Sequence, residues 1–341
     1  MGLYLSGVTH VDAPEILSSQ KLEQLLGPVY KKLKLSEGRI EMQTGIKSRG
    51  MWPVGTLPSE LSSLAARRLF EEKQIGPDEI DCVIHASVCR DVLEPATATT
   101  IHKNLGLSSH CMAFDLSNAC LGVLSAVITA MGMIKSKLAR KVLVVSGENS
   151  SPLILKTVEH LNLLAEKGEL TRKSLRPYFA NFTIGSAATA WLISDDPQEA
   201  CAEIEGYVQQ VDSQANHLCQ GGGDTQALTM QTDSPALLEA GIQLSKKTFK
   251  LYREKFSSPI NRMIGHQVGK AHNQGLRMAL GLDGIEETLS YPEWGNTGSA
   301  ALPLTLGLAH KQGHLRSGDH VALMGIGSGL SCLMMGLKWI K

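Results

Sequence analysis

The stretch from Cys120 to Lys135 (CLGVLSAVITAMGMIK) is small and apolar at nearly every position and uncharged until its last residue. A helix that is apolar around its whole circumference has no face to offer water and is buried. The run from Leu121 to Ile134 is about 14 residues, short of the ~20 that span a bilayer. Gly122, Ser125 and Gly132 interrupt it, so it reads as a core helix. A hydrophobic content of 43% supplies a core large enough to surround it.

The segment before the helix, Ala113 to Ala119, reads as an extended stretch closing in a turn. Cys120 therefore falls near the N-terminus of the buried helix. Unpaired backbone N–H groups and the helix dipole favour a thiolate there. An isolated cysteine in such a place is ordinarily a small core residue, so its role depends on what accompanies it.

The rest of the chain alternates strand and helix signals. Strands are expected at Leu3–Val11, Asp81–Val88, Cys111–Leu116 and Lys141–Ser146, with helices at Glu60–Glu72, Ala98–Leu105 and Cys120–Lys135. The order then recurs. Strands are expected at Glu203–Val211, Arg262–Gly265, Thr288–Tyr291 and Asp319–Gly325. Helices are expected at Leu237–Phe256, His272–Leu280 and Gly298–Gln312. The strands at 81 and 141 recur about 180 residues later. The economical reading is two α/β halves of like topology, each with a mostly parallel buried sheet, divided as 1–175 and 176–341.

The duplication also organises the candidate chemistry. Cys120 opens a helix in the first half, and Asn296, in Trp294-Gly295-Asn296-Thr297-Gly298, precedes the matching helix in the second. His266 stands at the C-terminal end of a strand, where open α/β sheets bind ligands. Gly325-Ile326-Gly327-Ser328-Gly329 follows the last expected strand. Taken singly, a histidine is a satisfied polar residue, an asparagine before a helix is a cap, and a glycine triplet is a turn. Their convergence on strand ends and helix starts of a pseudo-symmetric pair is far more specific.

Composition excludes other classes. Basic and acidic residues number 33 each, so nothing drives binding to a phosphate backbone, and a nucleic-acid partner is not expected. The seven cysteines include no Cys-x-x-Cys pair and no zinc-ligand spacing, so no metal site is expected. The N-terminal residues lack the basic and long apolar regions of a signal peptide, which points to a reducing, cytoplasmic setting.

Asn118-Ala119-Cys120-Leu121-Gly122, Gly265-His266-Gln267-Val268, Gly295-Asn296-Thr297-Gly298-Ser299-Ala300 and Gly325-Ile326-Gly327-Ser328-Gly329 occur in that order. Together they resemble the ketoacyl synthase III branch of the thiolase superfamily, over nearly the whole chain. The resemblance implies a thiolase-like fold, with duplicated α/β lobes forming a five-layered αβαβα core, in a homodimer. It implies that Cys120 accepts an acyl group and that His266 and Asn296 hydrogen-bond the second substrate's thioester oxygen. It also implies an oxyanion hole from the backbone N–H of Cys120 and one in the Gly327-Ser328 turn. Coenzyme A or acyl-carrier thioesters would be substrates, with no cofactor permanently bound. Two departures stand out. Val268-Gly269 replaces the usual Ala-Asn after His-Gln. The tryptophan that stacks on the coenzyme A adenine is absent, leaving Arg39 and Arg49, around Thr44-Gly45-Ile46, as candidate coenzyme A contacts.

Leu93-Glu94-Pro95-Ala96 places a carboxylate where initiating synthases carry an apolar residue. In the family this loop crosses the dimer interface into the partner's acyl channel. The Cys-Arg-Asp-x-Leu-Glu-Pro context is similar to the acyl-CoA condensing enzymes of long-chain olefin biosynthesis. Those enzymes join two fatty acyl-CoA molecules and need a base, because their second substrate has no carboxylate to lose. Glu94 is the candidate base. A decarboxylative synthase using malonyl-ACP shares the other three residues, and a non-catalytic acyl-binding dimer partner is the alternative of another class. Ser151 to Arg176 is an apparent insertion, either a lid over an acyl channel or dimer packing. Gly221-Gly222-Gly223-Asp224 reads as a surface loop. The other six cysteines read as structural thiols, and His272 as facing away from His266.

Overall fold

In a computed structural model, which describes residues 2–222 and 229–341, ten strands form one continuous hydrogen-bonded sheet. In chain order they are β1 (Tyr4–Val11), β2 (Cys82–His85), β3 (Met112–Asp115), β4 (Lys141–Glu148), β5 (Ala187–Ser194), β6 (Ala202–Val211), β7 (Arg262–Gly265), β8 (Glu286–Glu287), β9 (His320–Gly327) and β10 (Ser331–Trp339). Their spatial order is β8-β7-β9-β10-β6-β1-β5-β4-β2-β3.

That order is two copies of one five-stranded pattern. In the first half β1, β5 and β4 pair antiparallel, and β4, β2 and β3 pair parallel. In the second, β6, β10 and β9 pair antiparallel, and β9, β7 and β8 parallel. Within the sheet the two patterns are joined at Tyr4↔Glu203 and Leu5↔Ala202. The expected division at 175/176 is corrected by this pairing. β5 belongs to the first sheet, so the chain passes from one half to the other between Ser194 and Ala202.

Helices α1 (Pro58–Lys73), α2 (Thr97–Leu105), α3 (Gly122–Lys135), α4 (Ser151–Glu166), α5 (Ser234–Lys255), α6 (Lys270–Leu280) and α7 (Ala301–Lys311) complete the layers. The strands are apolar on both faces because both faces are covered. On β4, Val142 and Val144 join the central core with α3 and α7, while Leu143 and Val145 pack outward against α1 and α2. On β9, Val321 and Leu323 face the same central core, while Ala322 and Met324 pack outward against α5. The result is α, β, α, β, α, with the all-apolar α3 in the middle layer, as its sequence demanded.

The expected strand at Thr288–Tyr291 is replaced by the two-residue β8 and a short helix, Tyr291–Trp294. Pro292 lies in the first turn of that helix, where its missing N–H costs nothing. β5 and β10 had no counterpart in the sequence reading. The insertion forms α4, whose Ile154, Val158 and Leu161 pack on Leu22, Leu26 and Val29 of the same chain. Gly221 and Gly222 belong to a strand (Cys219–Gly222) paired with Thr229–Thr232, not to a loop; Gly223 and Asp224 lie outside the described residues. Among the described residues no helix is long and apolar enough to cross a membrane.

Candidate active site

β3 leads into a 3₁₀ turn, Ala119–Leu121, and only then into α3. Ala119 is held at φ 44°, a conformation a residue with a Cβ enters only when its surroundings enforce it. Those surroundings come from both halves. A Cβ on Gly122 would lie 2.7 Å from Ser299 Oγ and 3.2 Å from Ala86 O. A Cβ on Gly327 would lie 3.1 Å from Leu121 Cγ and 3.5 Å from the backbone N of Cys120. Glycine at both positions lets the end of β9 and the start of α7 close on the Cys120 turn. The backbone at Gly327 thus comes close to the Cys120 turn.

The helix-start argument for a ready thiolate is corrected by this environment. Burial, the Glu148 carboxylate and the Cys219 thiol push the Cys120 thiol up to about 12. This environment favours the thiol over the thiolate. Cys219, set aside as structural from the sequence, is close enough to contribute to that field.

His266 follows β7, and its N–H donates to Met324 O on the neighbouring β9 at 2.9 Å. Gln267 is fully buried and fixes the turn. Its Nε2 donates to Gly265 O at 2.8 Å, and its Oε1 accepts from Ser290 N at 2.9 Å and Tyr291 N at 3.2 Å. The His266 ring is buried with Nδ1 unpartnered. Burial, reinforced by His272, lowers its pKa to about 3, so the imidazole is neutral in ordinary buffers. His272 lies within electrostatic reach of His266.

Asn296 is locked by its own backbone. Its N–H donates to Thr183 O at 2.8 Å and its carbonyl accepts from Gly185 N at 2.9 Å. Its Oδ1 accepts from Gly298 N at 3.1 Å, which leaves the Nδ2 amide as the end able to donate to a substrate. Three residues on, Ser299 Oγ accepts from Val123 N at 3.0 Å, tying the Asn296 loop to the Cys120 helix. A half-buried thiol, a neutral imidazole, a carboxamide donor and two turn N–H groups are groups suited to covalent acyl transfer with oxyanion stabilisation.

Glu94 stands apart from this set in the single chain. It is exposed, beside Val92 at 52% and Leu93 at 90% exposure. Its loop is held at both roots. Thr97 N and Ala98 N donate to the Asp115 carboxylate, each at 2.8 Å. Val88 N and Cys89 N donate to Glu148, at 2.8 and 3.1 Å. Glu148 was missed from the sequence; its only signal is a carboxylate at the end of a mostly apolar strand.

The two arginines part company. Arg39 lines a cavity of about 500 Å³, together with Tyr30, Phe179, Phe182, Arg172 and Arg176. Arg49 is fully buried and donates to Leu17 O, Ser19 Oγ and Phe182 O, and burial lowers it to about 10. It is a structural cation, and the expectation that it contacts coenzyme A is corrected.

Residues 114–163 match the 3-oxoacyl-[acyl-carrier-protein] synthase III family, and residues 256–339 match the C-terminal part of such synthases. The chain is 33% identical to an acyl-CoA:acyl-CoA alkyltransferase of Shewanella oneidensis, over 99% of each chain. It is 26% identical to a beta-ketoacyl-[acyl-carrier-protein] synthase III of Neisseria meningitidis, over 88% of this chain and 90% of the other. Its fold superposes, with a TM-score of 0.93 and 31% identity, on Xanthomonas campestris OleA crystallised with lauric acid and lauroyl-CoA, covering 99% of both chains.

Proposed function

Because the chain belongs to the acyl-CoA:acyl-CoA alkyltransferases, condensing enzymes of the thiolase superfamily, we propose that it joins two fatty acyl-CoA molecules head to head. The Cys120 sulfur attacks the first thioester. Coenzyme A leaves, carrying the thiol's proton, and the acyl group stays on sulfur. The N–H groups of Cys120 and Ser328 stabilise the oxyanion. A second acyl-CoA binds with its thioester oxygen on His266 and Asn296. Glu94 of the partner subunit takes its α-proton. The carbanion attacks the acyl-cysteine carbonyl, the C–S bond breaks, and a 2-alkyl-3-oxoacyl-CoA forms. Hydrolysis of that thioester yields the 2-alkyl-3-oxoalkanoate. The nucleotide end of coenzyme A is assigned to the Arg39 cavity, where Arg172 and Arg176 also offer charge to phosphates. Seven free thiols suit a reducing cytoplasm.

The observation that carries this reading is the Glu94 loop. A carboxylate beside an almost fully exposed leucine, on a loop braced at both roots, fits insertion into an apolar channel of a second copy. A decarboxylative condensation needs no such base. The test is incubation with myristoyl-CoA alone, with products read by mass spectrometry. Unaltered protein is expected to give the condensed product. Glu94→Ala is expected to acylate Cys120 and stop there, and Cys120→Ala to do neither. A mixed dimer of the two variants is expected to regain product, because one of its sites has both groups. Full turnover in Glu94→Ala, or product only when malonyl-ACP is added, overturns the reading.

A further inference from the structure

Glu148 has no part in the chemistry just described, yet its carboxylate accepts three backbone hydrogen bonds beside the site. It ends β4 with 4% of its surface exposed. Oε1 accepts from Val88 N at 2.8 Å and Ser299 N at 3.1 Å, and Oε2 accepts from Cys89 N at 3.1 Å. Val88 and Cys89 are the root of the Glu94 loop. Ser299 begins the helix entry beyond Asn296 and carries the hydroxyl that receives Val123 N from the Cys120 helix. One carboxylate thus joins three segments from 88, 148 and 299 that lie far apart in sequence. A buried charge costs several kcal/mol unless it is well paired. Three backbone donors supply that pairing, and a neutral side chain of similar shape cannot accept from all three.

Resting on the function proposed above, we propose that Glu148 is a positioning residue. It fixes the loop that delivers Glu94 to the partner subunit against the Cys120–Asn296 framework of its own chain. The extension of the base into one site is then set by the packing of the other. The Glu148 carboxyl also lies within electrostatic reach of the Cys120 thiol, as does Cys219, while burial raises its own pKa against the hydrogen bonds from Val88, Cys89 and Ser299 that hold it down. Removing the charge must therefore change two things at once: the placement of the loop and the field at the thiol.

The test uses Glu148→Gln and Glu148→Asp in the full-length protein, with three readouts. These are condensation turnover with myristoyl-CoA, the extent of Cys120 acylation by mass spectrometry, and the pH profile of Cys120 alkylation by iodoacetamide. Glu148→Gln is expected to keep acylation and to lose condensation on the order of 10²-fold, the effect of an ångström-scale misplacement. Its alkylation profile is expected to move about one unit to lower pH, since a negative charge has gone. Glu148→Asp keeps the charge and loses reach, so it is expected to condense poorly with an unmoved profile. A merely structural role would lower turnover in Glu148→Gln without moving the profile, and that result overturns the proposal. So does undiminished turnover in either variant. Absence of condensed product from the unaltered protein overturns the function reading instead.

Discussion

Replacing Gln267 with Met tests how the histidine is held. The two side chains have similar length and volume, so the change keeps packing and deletes polarity. Gln267 is fully buried, and its carboxamide satisfies three backbone groups: Gly265 O, Ser290 N and Tyr291 N. At roughly 1 kcal/mol for each group left unpaired, the loss is about 3 kcal/mol. With an unfolding entropy near 2.1 cal/mol/K per residue over the 341-residue chain, that corresponds to a fall in Tm of about 4 °C. The backbone of His266 keeps its own bond to Met324 O, so the histidine stays in place but its ring direction is freed. Acylation of Cys120, which the reading assigns to other donors, should remain within a few-fold. Condensation should fall by at least about tenfold, because a donor displaced by an ångström loses most of its effect. Scanning fluorimetry reads the first number; mass spectrometry of the acyl-enzyme and product formation read the others. A Tm within 1 °C of the unaltered protein together with unchanged condensation would refute the reasoning. It would mean that Ser290 and Tyr291, not Gln267, define the turn.

Further expectations follow from the same geometry. His266→Ala and Asn296→Ala should each acylate normally and condense about 10²–10³-fold more slowly, as single-turnover assays on pre-acylated enzyme would report. Because the His266 pKa is lowered to about 3, its charged form appears only below that value. Condensation rates should therefore show no inflection near 6.5 that disappears in His266→Ala. Arg39→Ala should raise the KM for acyl-CoA with little change in Tm. Arg49→Met, which strands Leu17 O, Ser19 Oγ and Phe182 O, should lower Tm by several degrees and leave KM alone. The opposite pattern would exchange the roles of the two arginines.

Much of the fold was legible because it rests on local rules. The apolar circumference of 120–135 required a buried helix, and unbroken apolar runs such as Val142-Leu143-Val144-Val145 marked strands covered on both faces. Recurrence of that order announced two halves, and the matching helix starts singled out Cys120 and Asn296. β10 was missed because Ser331–Trp339 follows β9 after a tight turn, and the glycines at 325–329 read as the end of the sheet rather than its reversal. β5 was missed because Ala187-Ala188-Thr189-Ala190 carries no strong strand propensity. Its burial between β1 and β4 decides its conformation.

What only the tertiary structure decided is the state of the charges. The sequence placed Cys120 at a helix start and so favoured a thiolate; burial beside Glu148 reverses that. Sequence placed Arg49 among candidate nucleotide contacts, but the structure buries it among carbonyl and hydroxyl oxygens. Nothing along the chain links Glu148 to residues 88, 89 and 299. The physical reason is the same in each case. Periodicity and propensity act over a few residues, whereas desolvation and Coulomb interaction depend on which distant segments exclude water around a group. Those neighbours exist only once the two sheets have closed on the helices between them.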